Sequence, residues 1–215
     1  TLTAVQHGLF PLSKPGLRDF LVSNVNRIFL KLFRYCPWGP GFGARIVDQY
    51  IVYTDAVKKY LVEVRGWEES CVIVDGFFLK KNLYELASKR VVVEKQGAIF
   101  FAQCFRRAGL CNEEYEYKII SSALDYVKER HGTVYLKLHP SCQCQHADFD
   151  GVRLVDDFEY GINNSGFAYG FFSTALVDAE ICGLEVVSIY HPLMVRFRNF
   201  DSSIYGNFSS VVSLS

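Results

Sequence analysis

Two stretches of this 215-residue chain carry side chains whose types and spacing could do chemistry. "VYLKLHPSCQCQH" sets His139, Cys142, Cys144 and His146 within eight positions, and "GFFSTALVDAE" sets Ser173 and Thr174 at the start of a small-residue helical pattern. An imidazole at a strand end donates a hydrogen bond to a phosphate or leaving oxygen when neutral, and stabilises developing negative charge when protonated. Lys137, two residues upstream, shares the strand face of His139 and offers a second cation. Paired hydroxyls at a helix start can act with backbone N–H groups and the helix dipole on one phosphate. The plainer reading of that pair is that one hydroxyl only caps the helix. His7 in "VQHG" also sits at a strand end, with Gly8 permitting close backbone approach, and suits a general base on the acceptor side of a cleft.

The residue types around His139 also bind zinc. Cys-x-Cys is tighter than the usual spacer between zinc ligands, and no second ligand knuckle follows it, so "CQCQH" reads as an exposed loop with incidental thiols. No metal is therefore assigned. There is no "GxxxxGK[ST]", and Gly161, Gly166 and Gly170 do not form a dinucleotide fingerprint directly after a strand, which disfavours a P-loop ATPase and an NAD site.

Several elements must position these residues. "LTAVQHG" reads as a strand running into a Pro- and Gly-broken loop. "LRDFLVSNVNRIFLKLFRY" has helical period from Leu17 through Leu32 with a basic end at Arg27, Lys31 and Arg34. A packed face beside a solvated one is the ordinary reading of that helix, with a lid or a membrane-surface contact as alternatives. From Ile46 strands and helices alternate: "RIVDQYIVYT", then "DAVKKYLVEVRG" capped by Asp55, then "SCVIVDG" and the helix-like "NLYELAS". "RVVVEKQGAIFFAQCF" supplies one or two strands, and the helix "NEEYEYKIISSALDYVKERHG" opens on the cap Asn112 and closes on Gly132. "TVYLKLH", "VRLVDD" and a final "LEVVSIY" are strands, whereas "FEYGINNSGFAYGFF" reads as a Gly-rich aromatic loop. Such alternation implies a parallel sheet covered by crossover helices, because parallel neighbours need a crossover. Ligands of such sheets bind where the strand carboxyl ends meet helix N-termini. "VQHG", "IVDGFF", "KLHPS" and the approach to "FFSTALVDAE" all lie at such ends.

Composition sets the bounds. Half the residues are hydrophobic and 21% charged, which is the balance of an ordinary globular chain. Lys plus Arg equals Asp plus Glu at 23 each, so no global positive field announces a nucleic-acid partner. Seven cysteines without regular spacing fit reduced thiols better than a disulfide framework. No apolar run reaches membrane-span length and the start lacks signal-peptide character; a peripheral membrane contact stays open. "TLTAV" begins abruptly, as part of a longer protein would.

"VYLKLHP" resembles the HP motif, and "GFFSTALVDAEICGLEVVSI" the Ser/Thr motif and following helix, of bacterial glycosyltransferases with the two-lobed GT-B architecture that use cytidine-nucleotide donors. The pattern is similar to that of bacterial sialyltransferases and capsular polysialyltransferases, while "VQHG" resembles the loop histidine of capsule and teichoic-acid polymerases, including CDP-glycerol transferases. The resemblance covers about Ile46 to Leu193. It implies an α/β, GT-B-like protein: residues 1–45 a partial N-terminal lobe or hinge, 46–193 a Rossmann-like nucleotide-sugar-binding domain, and 194–215 a tail. His139 would contact the donor phosphate and assist departure of CMP, and Ser173 and Thr174 would hold that phosphate. Asp75 and Gly76 in "VDGFF" would lie near the donor, and Lys95, Gln96 and Gly97 would border its base or sugar. Members of this type show an acidic pair before glycine as the general base. Here Asp75 is a single acid, and His7 occupies the more suitable position. The implied substrates are a nucleotide sugar, CMP-sialic acid in the sialyltransferase pattern, and a glycan acceptor, with no cofactor and no essential metal. The implied location is cytoplasmic, at or near the inner face of the membrane. Transfer of an alditol phosphate from a CDP-glycerol-type donor, and a non-catalytic nucleotide-binding or scaffold lobe, are the competing expectations.

Overall fold

The computed structural model describes residues 1–5, 16–38, 44–90, 97–107, 111–140, 149–171, 173–191 and 210–214. His7, Lys95, Gln96, Cys142, Cys144 and His146 lie outside the described residues. Among those described, 1–79 form one compact unit, and 80–191 with 210–214 form a second. Each is α/β with a parallel sheet, as the alternation of strand and helix patterns predicts.

In the first unit β1 (Thr3–Val5), β2 (Gln49–Val52) and β3 (Val72–Val74) form a parallel sheet in that order. α1 (Leu17–Phe33) precedes β2, and α2 (Asp55–Glu63) joins β2 to β3. Thr54 rather than Asp55 caps α2, its hydroxyl accepting from Val57 N–H at 3.3 Å. The expected division at Ile46 is not a division between sheets. β2 and β3 hydrogen-bond alongside β1, and the second unit starts at Lys80, where α3 (Gly76–Lys89) kinks with φ −133° and ψ 25°.

α1 also departs from expectation. Its one wholly buried residue is the polar Asn26, which donates to Trp38 C=O at 2.6 Å and accepts from Trp38 N–H at 3.2 Å. Ser23 Oγ accepts from Arg45 N–H at 2.9 Å. The helix is thus fastened by its polar face, because that face satisfies the backbone of the segment returning from it.

The second unit is built on β4 (Ala98–Phe101), β5 (Val134–Lys137), β6 (Arg153–Leu154), β7 (Phe167–Gly170), β8 (Glu185–Tyr190) and β9 (Ser210–Ser213). All neighbours are parallel, in the order β6-β5-β4-β7-β8-β9. Numbered from β4, this is 3-2-1-4-5-6, the order of a doubly wound sheet whose switch point falls between β4 and β7. α4 (Glu113–Lys128), α5 (Phe158–Asn163) and α6 (Thr174–Ile181) form crossovers. Core clusters lie on each face of β4, around Phe100, Leu124 and Phe171 on one and around Ile99, Ile162 and Leu176 on the other. Two faces must be buried, which is why β4 reads AIFF with all four residues buried.

Two expectations fail here. "FEYGINNSGFAYGFF" is not a loop: it contains α5, capped by Asp157 accepting from Glu159 N–H at 2.9 Å, and the central strand β7. The expected tail after Leu193 is not only a tail either, since β9 within it extends the sheet beyond β8.

Candidate functional site

Register places four residues in one row at the carboxyl edge of the second sheet: Lys137 beside Phe101, Phe101 beside Gly170, and Gly170 beside Ser188. With strands about 4.8 Å apart, Lys137 and Gly170 are separated by roughly 10 Å. His139 follows two residues beyond this row, and Ser173 three beyond it. Both therefore leave the same edge, on either side of the switch point, where a doubly wound sheet opens its ligand crevice.

The β7 side is held closely. Ser188, buried in β8, donates its hydroxyl to Phe171 C=O at 2.8 Å, which fixes the chain just before Ser173. At Gly170 a Cβ would come within 3.2 Å of Phe101 C=O and 3.3 Å of Leu176, so glycine lets α6 settle against β7. Ser173 is the N-cap of α6, accepting from Ala175 N–H at 3.2 Å, and Thr174 is the first helical residue. The plainer reading of the pair is thus realised at Ser173. The cap uses the hydroxyl oxygen as an acceptor, and the hydroxyl hydrogen remains a donor toward a second partner.

On the β5 side His139 is exposed, whereas the Lys137 ammonium donates to Asp156 C=O at 2.6 Å. That bond draws the cation toward the end of β6, away from the switch point. The shared strand face expected of Lys137 and His139 therefore does not give a cation pair aimed at one phosphate.

Residues 102–107, leaving β4 at the centre of the edge, carry a feature that sequence reading missed. Glu116 in the first turns of α4 is wholly buried and accepts from Arg106 N–H at 2.9 Å. Arg106 also pairs with Glu113 at 2.7 Å, and Arg107 is exposed beside it. The signal was an acid four residues past the cap Asn112, on the apolar face of an otherwise regular helix. His191 was missed as well. It follows β8 at the same edge, and burial pulls its imidazole below the usual histidine value, so it is a neutral group at neutral pH.

Of the remaining predicted residues, Gly97 lies at the opposite edge of this sheet, and Asp75 and Gly76 belong to the first unit. Gly97 precedes β4 at the amino edge, roughly 13 Å from the carboxyl row at 3.3 Å per residue. There its C=O accepts from Gly166 N–H at 2.9 Å, and a Cβ would fall 2.8 Å from Asn164 C=O. Close backbone packing, not a donor base or sugar, accounts for glycine at this position. Asp75 and Gly76 follow β3, and so belong to the carboxyl edge of the first sheet, where Asp75 N–H donates to Val52 C=O at 3.1 Å.

Among the described residues no group of three or more His, Cys, Asp or Glu could hold a metal ion, and the five described cysteines are free. Two grooves of about 410 and 990 Å³ open beside α1. They belong to the first unit.

No protein-family model and no curated protein matches the sequence. Among solved structures, Thermosulfurimonas dismutans KpsC, described as a beta Kdo 2,4 transferase, matches 64% of this chain and 52% of its own at 15% identity and a TM-score of 0.35. Two structures of the wall teichoic acid polymerase TagF soaked with CDPG match 79% and 84% of this chain and 46% and 43% of theirs, at 13% identity and TM-scores of 0.45 and 0.39. The chain spans about half the length of the solved chains it matches. Strand order and parallel register define the fold of this chain.

Proposed function

We propose that this chain is the donor-binding part of a transferase that takes its group from a cytidine nucleotide and passes it to a surface-polysaccharide or related polymer acceptor. The observation that carries this reading is the placement of His139 and the Ser173-Thr174 helix start on opposite sides of the β4/β7 switch point. Cytidine comes from the resemblance of "VYLKLHP" and "GFFSTALVDAEICGLEVVSI", and the phosphate site from the physics of the edge.

In this reading the hydroxyls of Ser173 and Thr174 and the positive end of α6 hold the donor phosphate. His139 gives a hydrogen bond or a proton to the phosphate oxygen from which the bond to the transferred group breaks, so that CMP departs with its charge compensated. The acceptor hydroxyl attacks and gives its proton to a base, assigned to His7 by the resemblance of "VQHG" to the loop histidine of capsule and teichoic-acid polymerases. No metal is required for that sequence, because imidazole, hydroxyls and helix dipole neutralise the leaving group.

A CMP-linked sugar and a CDP-linked alditol both present phosphate to such an edge, and product analysis separates them. Incubation of the complete protein with each donor releases CMP in both cases, but only the alditol reaction leaves phosphate in the product. His139→Ala should abolish CMP release while circular dichroism stays unchanged; release at the wild-type rate would remove His139 from the mechanism. Nucleotide binding without turnover on either donor would instead support the non-catalytic lobe.

A further inference from the structure

α1 exposes the side that its sequence pattern would bury. At 3.6 residues per turn, Leu17, Leu21, Ile28 and Leu32 fall within about 60° of arc. All four are exposed, Leu17 to 77% and Leu32 to 69%. The opposite side carries Asn26 and Ser23, which bind the backbone of the segment behind the helix. Arg18 projects about 40° beyond one border of the aliphatic stripe and Lys31 about 40° beyond the other. Phe33, Tyr35 and Trp38 are exposed around the carboxyl end of the helix.

We propose that this face of α1 is an in-plane docking surface for an anionic lipid bilayer. Charge decides between occupants. Arg18, Arg27, Lys31 and Arg34 stand against three nearby carboxylates, Asp19, Asp48 and Glu63, the last lining the smaller groove beside α1. Of these, Asp19 is turned to bind Gly16 N–H at 2.9 Å, and Asp48, which feels Arg27 and Lys31, is bound by Leu2 N–H at 2.9 Å. A second copy laid stripe to stripe would set these flanking cations against their own kind, whereas a bilayer takes the aliphatic side chains while Arg18 and Lys31 reach its phosphates. The helix is about 25 Å long at 1.5 Å per residue. Among the described residues no helix is long and apolar enough to cross a membrane, so α1 lies along the surface. A groove of about 990 Å³ runs beside the stripe, with Leu17, Leu21, Val25 and Trp38 in its wall and Arg18 and Arg65 also lining it. Aliphatic walls with adjacent guanidinium groups suit a lipid tail and its headgroup. This surface belongs to the first unit and does not depend on the donor reading.

The test is co-sedimentation of the chain with vesicles of phosphatidylcholine mixed with phosphatidylglycerol, against phosphatidylcholine alone, with Trp38 fluorescence followed in parallel. The expected result is binding to the anionic vesicles, weakened by salt, with a blue shift that Trp38→Phe removes. Leu21→Glu with Ile28→Glu should weaken binding by at least about tenfold, because two exposed aliphatic contacts are lost. Arg18→Gln with Lys31→Gln should weaken binding to anionic vesicles alone. All four positions are exposed, so the variants should keep the wild-type circular dichroism. No sedimentation with either vesicle overturns the proposal, as does sedimentation unaffected by both double variants. A dimer in solution that Leu21→Glu dissociates would assign the stripe to a second copy instead.

Discussion

Glu116, wholly buried in α4, accepts the backbone N–H of Arg106 at 2.9 Å and so ties the loop leaving β4 to the helix that follows it. β4 lies beside the switch point, and the conformation of residues 102–107 therefore decides what the centre of the carboxyl edge presents. Glu116→Gln keeps a carbonyl oxygen in place and should cost little. Glu116→Ala leaves the N–H without this acceptor and should lower stability by about 2 kcal/mol. Urea denaturation of the three proteins measures the difference; equal losses in Ala and Gln would show that charge, not the hydrogen bond, is what the position requires.

The Lys80 ammonium sits 2.8 Å from Asp178 Oδ1, with both side chains about four-fifths buried. Burial raises the Asp178 carboxyl above its usual value, and Lys80 opposes that rise. Removing the cation should be worse than removing the anion's charge. Lys80→Met should lose about 3 kcal/mol at neutral pH by leaving a desolvated carboxylate unpaired, and Asp178→Asn should lose less. A raised folded-state value means that this group favours the fold most below 3.8 and loses that contribution as pH rises through the folded value. The Lys80→Met deficit should therefore shrink as the pH is lowered toward that value. Thermal melts at neutral and acid pH test this, and a deficit that grows on acidification would contradict it.

His191 carries the opposite sign. Burial lowers its folded-state value below 6.5, so its contribution is complete above 6.5 and is lost as pH falls through the folded value. Histidine NMR should show His191 titrating below 6.5, and His191→Gln should flatten the stability loss on the acid side of that point. An imidazole titrating above 6.5 would place an anionic partner at this strand end.

Gly97 separates two accounts of the same residue. With a Cβ 2.8 Å from Asn164 C=O, Gly97→Ala should destabilise by about 1–3 kcal/mol through overpacking. Because Gly97 lies at the amino edge, the folded variant should bind cytidine nucleotides with wild-type affinity. Reduced affinity in fully folded protein would restore the residue to the donor site, as the family resemblance implies.

What could be read from the sequence follows from how local each determinant is. Asn112 and Ser173 were legible as caps because a cap is a short-range contact, and the structure shows each accepting from the first turn of its helix. The switch point was not legible, since the sequence does not reveal that β7 pairs with β4 while β5 occupies the other side. β7 itself was hidden: Gly166 and Gly170 flank or end a strand of only four residues, and glycine usually marks a loop. The orientation of α1 was misread for a related reason. Periodicity identifies an apolar face, but not whether that face meets the fold or, as with Asn26 here, the polar face does.

Calorimetric titration of CMP and CDP into the 215-residue chain and its Ser173→Ala, Thr174→Val double variant tests the phosphate site most directly. The predicted result is cytidine-nucleotide binding, stronger than that of UDP or GDP, weakened by about tenfold or more in the double variant as two charge-assisted hydrogen bonds are lost. Absence of binding to any nucleotide, or binding that the double variant leaves unchanged, would contradict the assignment of the carboxyl edge between β4 and β7 as the donor site.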